Sequence, residues 1–232
     1  MPAVRAIFFD IGDTLVFDDP PLPARLAQAA GFLIDPAAYK AGEDYALGEY
    51  LRGVPWDAPN SMREAVARMW LAQDLPPLSE DDGRALAEAF AQIPVTRSVH
   101  PGGLALLTKL KARGFVLGAI SDWEATLPAL LTDLGLRSSF EALAVSAIVG
   151  VTKPAPALLQ EALRQANVPA ATSLHVGDWY ALDVAGARAA GMSALLFDHA
   201  GRTPGADCPR VTTFDAMADY LLSLPHGRDI LP

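Results

Sequence analysis

Five short apolar runs, each broken off by a polar or turn residue, constrain the fold of this chain more than any other feature. Residues 4–9 end abruptly in Asp10, and residues 115–120 end at Ser121. Residues 143–148 lead to Gly150 and Lys153, residues 173–176 stop at Gly177 and Asp178, and residues 193–197 stop at Asp198. A nearly continuous apolar run of this length reads as a strand buried on both faces, as in a parallel sheet. Helical patterns separate the runs. Leu104, Leu107 and Leu110 form one apolar stripe before Gly114, and residues 156–166 and 181–190 read as helices, the second stopped by Gly191. Strand then helix, repeated, predicts an α/β fold built on a doubly wound parallel sheet.

Residues 16–96 interrupt that alternation. They contain no comparable strand, and Met62, Ala65, Val66, Met69 and Trp70 follow the i, i+3, i+4, i+7, i+8 spacing of a helix, with Ser61 and Glu64 placed as a capping box. Ser79 to Asp82 is a second helix start, and Pro20-Pro21 and Pro76-Pro77 punctuate the stretch. The reading is a core of residues 1–15 and 97–232 carrying a small all-helical cap, residues 16–96. An insert at this point of an open α/β sheet is expected above the carboxyl ends of the strands, where such sheets bind ligands and where a lid would sit.

Composition removes several function classes. The 232 residues carry 18 basic and 27 acidic side chains, a net charge of −9, with no basic run, so nucleic acid is not expected as a partner. Cys208 stands alone, which excludes an intramolecular disulfide and a cysteine-held zinc. Asp10 falls too early for the apolar region of a signal peptide, and no apolar stretch approaches the roughly 18 residues of a membrane span. A soluble, cytoplasmic chain without a membrane partner is the expectation.

The polar residues that follow the strands carry the chemistry: Asp10, Ser121, Lys153 and Asp178, with Asp183 five positions further on. A carboxylate at a strand end can act as a nucleophile when the incoming group is neutralised. Carboxylates converging with one lysine suit Mg2+, which takes oxygen ligands and keeps waters and phosphate oxygens in its shell. Mg2+ and Lys153 together balance Asp10, Asp178 and Asp183, so a phosphate enters without a large penalty. Phosphoryl transfer needs mainly such positioning and electrostatics.

FFDIGDTL at 8–15, AISD at 119–122, VGVTKPAP at 149–156 and HVGDWYALDVAGARAAGM at 175–192 resemble the four ordered motifs of the haloacid dehalogenase-like hydrolases. The resemblance covers almost the whole core, which it implies is Rossmann-like, and the helical insert resembles the cap that many members carry between the first and second motifs. The resemblance implies a phosphatase-like hydrolase acting on a small phosphorylated molecule. It makes Asp10 the nucleophile and a Mg2+ ligand, with the Gly12 carbonyl and Asp178 as further ligands. Ser121 is implied to bind a phosphoryl oxygen, Lys153 to neutralise nucleophile and phosphate, Asp183 to orient Lys153 or a metal-bound water, and Thr14 to support the loop at the substrate. Asp122, where the family commonly has asparagine, adds acid beside Ser121 and the phosphate.

One position departs from the phosphatase pattern. The residue two after the nucleophile is an aspartate in phosphatase members, where it protonates the leaving alkoxide and then activates water; here it is Gly12. Asp13, one position on, is the candidate substitute. Without that acid, good leaving groups such as acyl or aryl phosphates are favoured over ordinary monoesters. A noncatalytic phospho-ligand or partner-binding protein is the rival reading. Dehalogenation is disfavoured because Asp178 is retained, and phosphonoacetaldehyde hydrolysis rests on Lys40, the insert's only lysine, whose surroundings read as a solvated helix face. His175, inside an apolar run, reads as a core histidine, and His100, His199 and His226 show no metal spacing.

Overall fold

The computed structural model describes residues 3–54, 66–69, 72–73, 77 and 79–225. Six parallel strands form one sheet in the order β5-β4-β1-β6-β7-β8, with β1 Ala6–Phe9, β4 Val116–Ser121, β5 Ala142–Val145, β6 Ser173–Gly177, β7 Ser193–Phe197 and β8 Arg210–Val211. The chain runs outward from β1 on one side and then resumes at β6 on the other. The order therefore reverses between β1 and β6, the place where open α/β sheets bind ligands beyond the carboxyl ends of their strands.

Alternate side chains of β1 explain its unbroken apolar run. Ile7 and Phe9 face a cluster with Leu117, Val176 and Leu195, while Ala6 and Phe8 face a second cluster with Ile120, Leu158 and Leu196. Both faces are covered, so no polar position survives within the strand. Phe8 lies in register with Gly118 of β4, and a Cβ on Gly118 would come within 2.5 Å of the Phe8 ring. Glycine is required there by close approach rather than by backbone conformation.

The chain divides into two compact units: one holds the residues up to Phe17 and from Arg97 onward, and the other is Asp18–Thr96. Among its described residues the second unit holds the helices α1 Leu22–Ala30, α2 Pro36–Leu51 and α3 Glu80–Ala91. Asp35 caps α2 by accepting from the N–H groups of Ala37 and Ala38, and Ser79 caps α3 by accepting from Asp82 N. The α1 and α3 helices pack together, with the Arg25 guanidinium 4.4 Å from the centre of the Phe90 ring. Residues 66–69 are helical and Met69 is buried, whereas Ser61, Met62, Glu64, Ala65 and Trp70 lie outside the described residues.

Four local differences from the sequence reading have physical causes. Val16–Asp19 and Thr96–Val99 pair as a separate two-stranded sheet, β2 and β3. Four-residue strands of sequence VFDD and TRSV carry no alternation to announce them. The run at 143–148 ends as a strand at Val145 and continues as a short helix, Ser146–Val149, because the Ser146 hydroxyl accepts from Trp123 N and draws the chain out of the ladder. In α4, Gly103–Ala112, the buried face is Gly103, Leu106, Leu107 and Leu110, which leaves Leu104 exposed off that stripe. The helix expected at 181–190 opens as one wide turn, Tyr180–Val184, before the regular helix Ala185–Ala189. No helix among the described residues is long and apolar enough to cross a membrane.

Candidate active site

Asp10 follows β1 and Asp178 follows β6, so two carboxylates stand at adjacent strand ends at the point where the strand order reverses. The Asp10 N–H donates to the Val176 carbonyl, extending the β1–β6 ladder to the carboxylate itself. Both are buried, as are Ser121 at the end of β4, Lys153 and Asp183. Lys153 Nζ lies 2.7 Å from Asp10 Oδ1 and 2.7 Å from Asp183 Oδ1, so one ammonium bridges both carboxylates.

Three features aim that lysine. Asp122 Oδ1 accepts from the Lys153 N–H at 3.0 Å, fixing its backbone. The acid beside Ser121 is thus engaged with the Lys153 backbone. Asp183 is folded back by its Oδ2, which accepts from Trp179 N at 2.9 Å, inside the wide turn that opens this helix. Such turns recur at functional sites because they re-aim a side chain. Gly177 makes the room: a Cβ there would fall 2.2 Å from Asp183 Cγ.

His175 completes the chain. Its Nε2 sits 3.0 Å from Asp183 Oδ1, the oxygen that also accepts from Lys153, and the ring is wholly buried. The sequence reading made it a core histidine; it is that and also a support of the site. The signal was its place two residues before Gly177 and eight before Asp183, which parallel strand geometry turns inward. Arg202, absent from the sequence reading, donates from Nη1 to Asp178 Oδ2 at 3.1 Å.

Electrostatics follow burial first. Desolvation pushes Asp10 up to about 6 despite the pull of Lys153. Desolvation, with repulsion from Asp10 and Asp183, raises Asp178 well above the usual carboxylate range, against Arg202. Burial acts on Asp183 in the same direction, but Lys153 and the His175 hydrogen bond outweigh it and hold that carboxyl below the ordinary range. Burial would lower Lys153, and the carboxylates of Asp10, Asp183 and Asp122 together raise it instead.

The donors fit Mg2+. Two buried carboxylates stand at neighbouring strand ends, both raised by burial, and Asp10 repels Asp178. Mg2+ is held by one or two carboxylates with waters and phosphate oxygens completing the shell, which this pair can supply.

The loop after Asp10 differs from what a glycine at position 12 suggests. The residue with a left-handed backbone is Asp13, at φ 51°, which is exposed and whose charge adds to the rise of Asp178. Gly12 has no positive φ, so it does not serve backbone freedom. What it leaves is space: a Cβ at Gly12 would lie 3.3 Å from Trp123 Cζ3. Trp123 is held there by Ser146, whose hydroxyl bonds both its N–H and its carbonyl, and by the Arg97 guanidinium 5.1 Å from its ring centre. Thr14 is fully buried, and its hydroxyl makes no hydrogen bond among the described residues. In the other unit, Lys40 is ion-paired with Asp44 at 2.7 Å on an exposed face of α2.

A family model described as haloacid dehalogenase-like hydrolase matches residues 4–191. Haloacid dehalogenase-like hydrolase domain-containing protein 3 from Homo sapiens is 31% identical over 209 residues, covering 83% of this chain and 81% of that protein. A phosphoglycolate phosphatase from Rhodospirillum rubrum is 32% identical over 228 residues, covering 92% and 88%. A HAD-hydrolase from Bacillus subtilis, solved bound to magnesium, superposes with a TM-score of 0.64 at 18% identity, covering 94% of this chain and 99% of that one, which is a likeness of fold.

Proposed function

The chain belongs to the haloacid dehalogenase-like hydrolases, and from that premise we propose that it is a Mg2+-dependent phosphatase for a small phosphorylated molecule, acting through an aspartyl-phosphate on Asp10. The observation that carries the reading is Lys153 Nζ bridging Asp10 and Asp183 at 2.7 Å each in a buried site at the strand ends. Phosphoglycolate phosphatases and glyceraldehyde 3-phosphate phosphatases among the relatives support the substrate class.

Asp10, Asp178 and the Gly12 carbonyl are the groups to hold Mg2+, which when bound supplies positive charge to the transferring phosphoryl group. An Asp10 carboxylate oxygen attacks phosphorus, and the bond from phosphorus to the leaving oxygen breaks with its electron pair going to that oxygen. Water then attacks phosphorus, releasing inorganic phosphate and regenerating the Asp10 carboxylate. Lys153 keeps Asp10 ionised and neutralises the entering phosphate, Ser121 binds a phosphoryl oxygen, and Asp183 with His175 holds Lys153 in line.

No acid stands at position 12, and general acid help is worth roughly 10² to 10⁴ in rate. Acyl and aryl phosphates, whose leaving groups need little protonation, are therefore the better substrates. The same position favours a second reading, a protein that binds a phospho-ligand without turnover, because Gly12 offers no side chain to protonate a leaving group.

Hydrolysis of p-nitrophenyl phosphate and acetyl phosphate, with Mg2+ and with EDTA, beside Asp10→Asn, separates the two. Turnover that needs both Mg2+ and Asp10 is the expected result, with a loss of roughly 10⁴-fold or more in Asp10→Asn. Phosphate binding by folded protein without turnover on either compound gives the second reading the site.

A further inference from the structure

Asp178 carries one contact that none of the four motifs supplies. The Arg202 guanidinium donates to its Oδ2 from a side chain only 14% exposed. That side chain is held at its tip and at its root. At the tip, the guanidinium lies 4.4 Å from the centre of the Trp179 ring, the residue next to Asp178. At the root, Asp198 accepts from Arg202 N at 2.6 Å, from Thr203 N at 2.9 Å and from Arg210 Nε at 2.8 Å. Asp198 is wholly buried after β7, and Gly201, at φ 70°, turns the chain between it and Arg202.

An arginine side chain fixed at both ends against a buried carboxylate has given up its rotamer freedom for that contact, which makes it a built feature. One oxygen of Asp178 is thereby taken by the guanidinium. Carboxylates that ligate metals are themselves hydrogen-bonded, and losing such a partner typically costs about 10- to 100-fold in metal affinity.

The geometry points to Arg202 as a positioning residue for the divalent cation, acting through Asp178. This rests on the reading of Asp10 and Asp178 as the Mg2+ site. The same contact admits a contrary role, a guanidinium that competes with the cation for Asp178, and the two roles differ in sign.

Calorimetric titration of the purified full chain with Mg2+, and of Mn2+ by electron paramagnetic resonance, decides between them. Arg202→Gln is expected to bind either ion about 10-fold more weakly or worse, with Arg202→Lys, which can still donate to Oδ2, closer to wild type. Trp179→Leu unseats the guanidinium without removing it and is expected to weaken binding in the same direction by a smaller factor, which carries the test if Arg202→Gln does not fold. Unchanged or tighter binding in a folded Arg202→Gln protein overturns the proposal, and so does a lowered Tm with unchanged affinity. Cation binding lost in Asp10→Asn but kept in Arg202→Gln leaves the Mg2+ reading standing and removes this one. Wild-type protein that binds neither ion overturns both.

Discussion

Asp10 and Asp178 stand at the ends of neighbouring strands, and the protein stabilises them by different means. Asp10 is met by Lys153, 143 residues further along the chain, in a linked set that runs through Asp183 to His175. Asp178 is met by Arg202, 24 residues away, on a loop tied down by Asp198. Each is a carboxylate raised by burial and relieved by one cation. The first solution shares its cation between two acids, so each member depends on the others. The second brings its cation from a separately anchored loop. The Asp10 side should therefore fail as a unit, whereas the Asp178 side should degrade by degrees.

Breaking the Asp10 side at its shared cation is expected to have the largest effect. Lys153→Met leaves Asp10 and Asp183 facing one another without a counter-charge, and removing one partner of a buried ion pair costs about 3–5 kcal/mol. Urea unfolding at neutral pH measures that loss. Turnover of acetyl phosphate by the folded fraction is expected to fall by roughly 10²- to 10³-fold, the scale of losing one electrostatic stabiliser. A variant as stable and as active as wild type would show that Lys153 is not the hub of this set.

Adding a function to the Asp10 side sharpens the contrast. Gly12 adopts no left-handed backbone, so Gly12→Asp is allowed conformationally, and its Cβ needs Trp123 to give by only a few tenths of an ångström. Monoesters with poor leaving groups are expected to gain about 10²-fold, the lower end of general acid help, while acetyl phosphate gains little. Equal change for both classes would mean that the missing acid does not set the rate. Pairing Gly12→Asp with Trp123→Ala tests whether the ring limits the gain.

How much of this was legible in the chain follows the same division. The Asp10 side is read from order and spacing, because β1, β4 and β6 are buried runs that end where the polar residues begin, and Lys153 follows a recognisable turn. His175 was concealed by its apolar neighbours: inside a buried strand, a polar residue reads as core unless its partner is known. The Asp178 side leaves no such trace. Arg202 lies in an irregular loop, where contacts are set by turn geometry rather than by periodicity, and Asp198 reads only as the residue that stops β7. Trp123 reached Gly12 through a bend made by Ser146, which the apolar run at 143–148 disguised as strand. In the insert, the Ser79 cap was legible because capping is local, and the β2–β3 pair was not, because pairing across 77 residues is not.

The smallest expected effect comes from loosening the anchor of the Asp178 side. In Asp198→Asn one oxygen can still accept from Arg202 N, but the amide nitrogen replaces the oxygen that accepts from Thr203 N and Arg210 Nε. Hydrogen bonds to a charged group contribute about 1.5–3 kcal/mol, so a loss of about 2 kcal/mol is expected at pH 7. Its pH dependence identifies the cause. Burial alone would raise the Asp198 carboxyl, and the Thr203 N–H, the Arg210 guanidinium and the Arg202 N–H outweigh it, leaving the group below its ordinary 3.8. A carboxyl lowered by folding contributes stability that is fully present above its unfolded value and is lost as pH falls through the folded one. The gap between wild type and Asp198→Asn should thus be constant from pH 7 to about pH 5 and close progressively below about pH 4. Urea unfolding across that range measures it, and a gap that persists undiminished at pH 3 would assign the loss to packing of the asparagine rather than to the charge that holds the Arg202 loop.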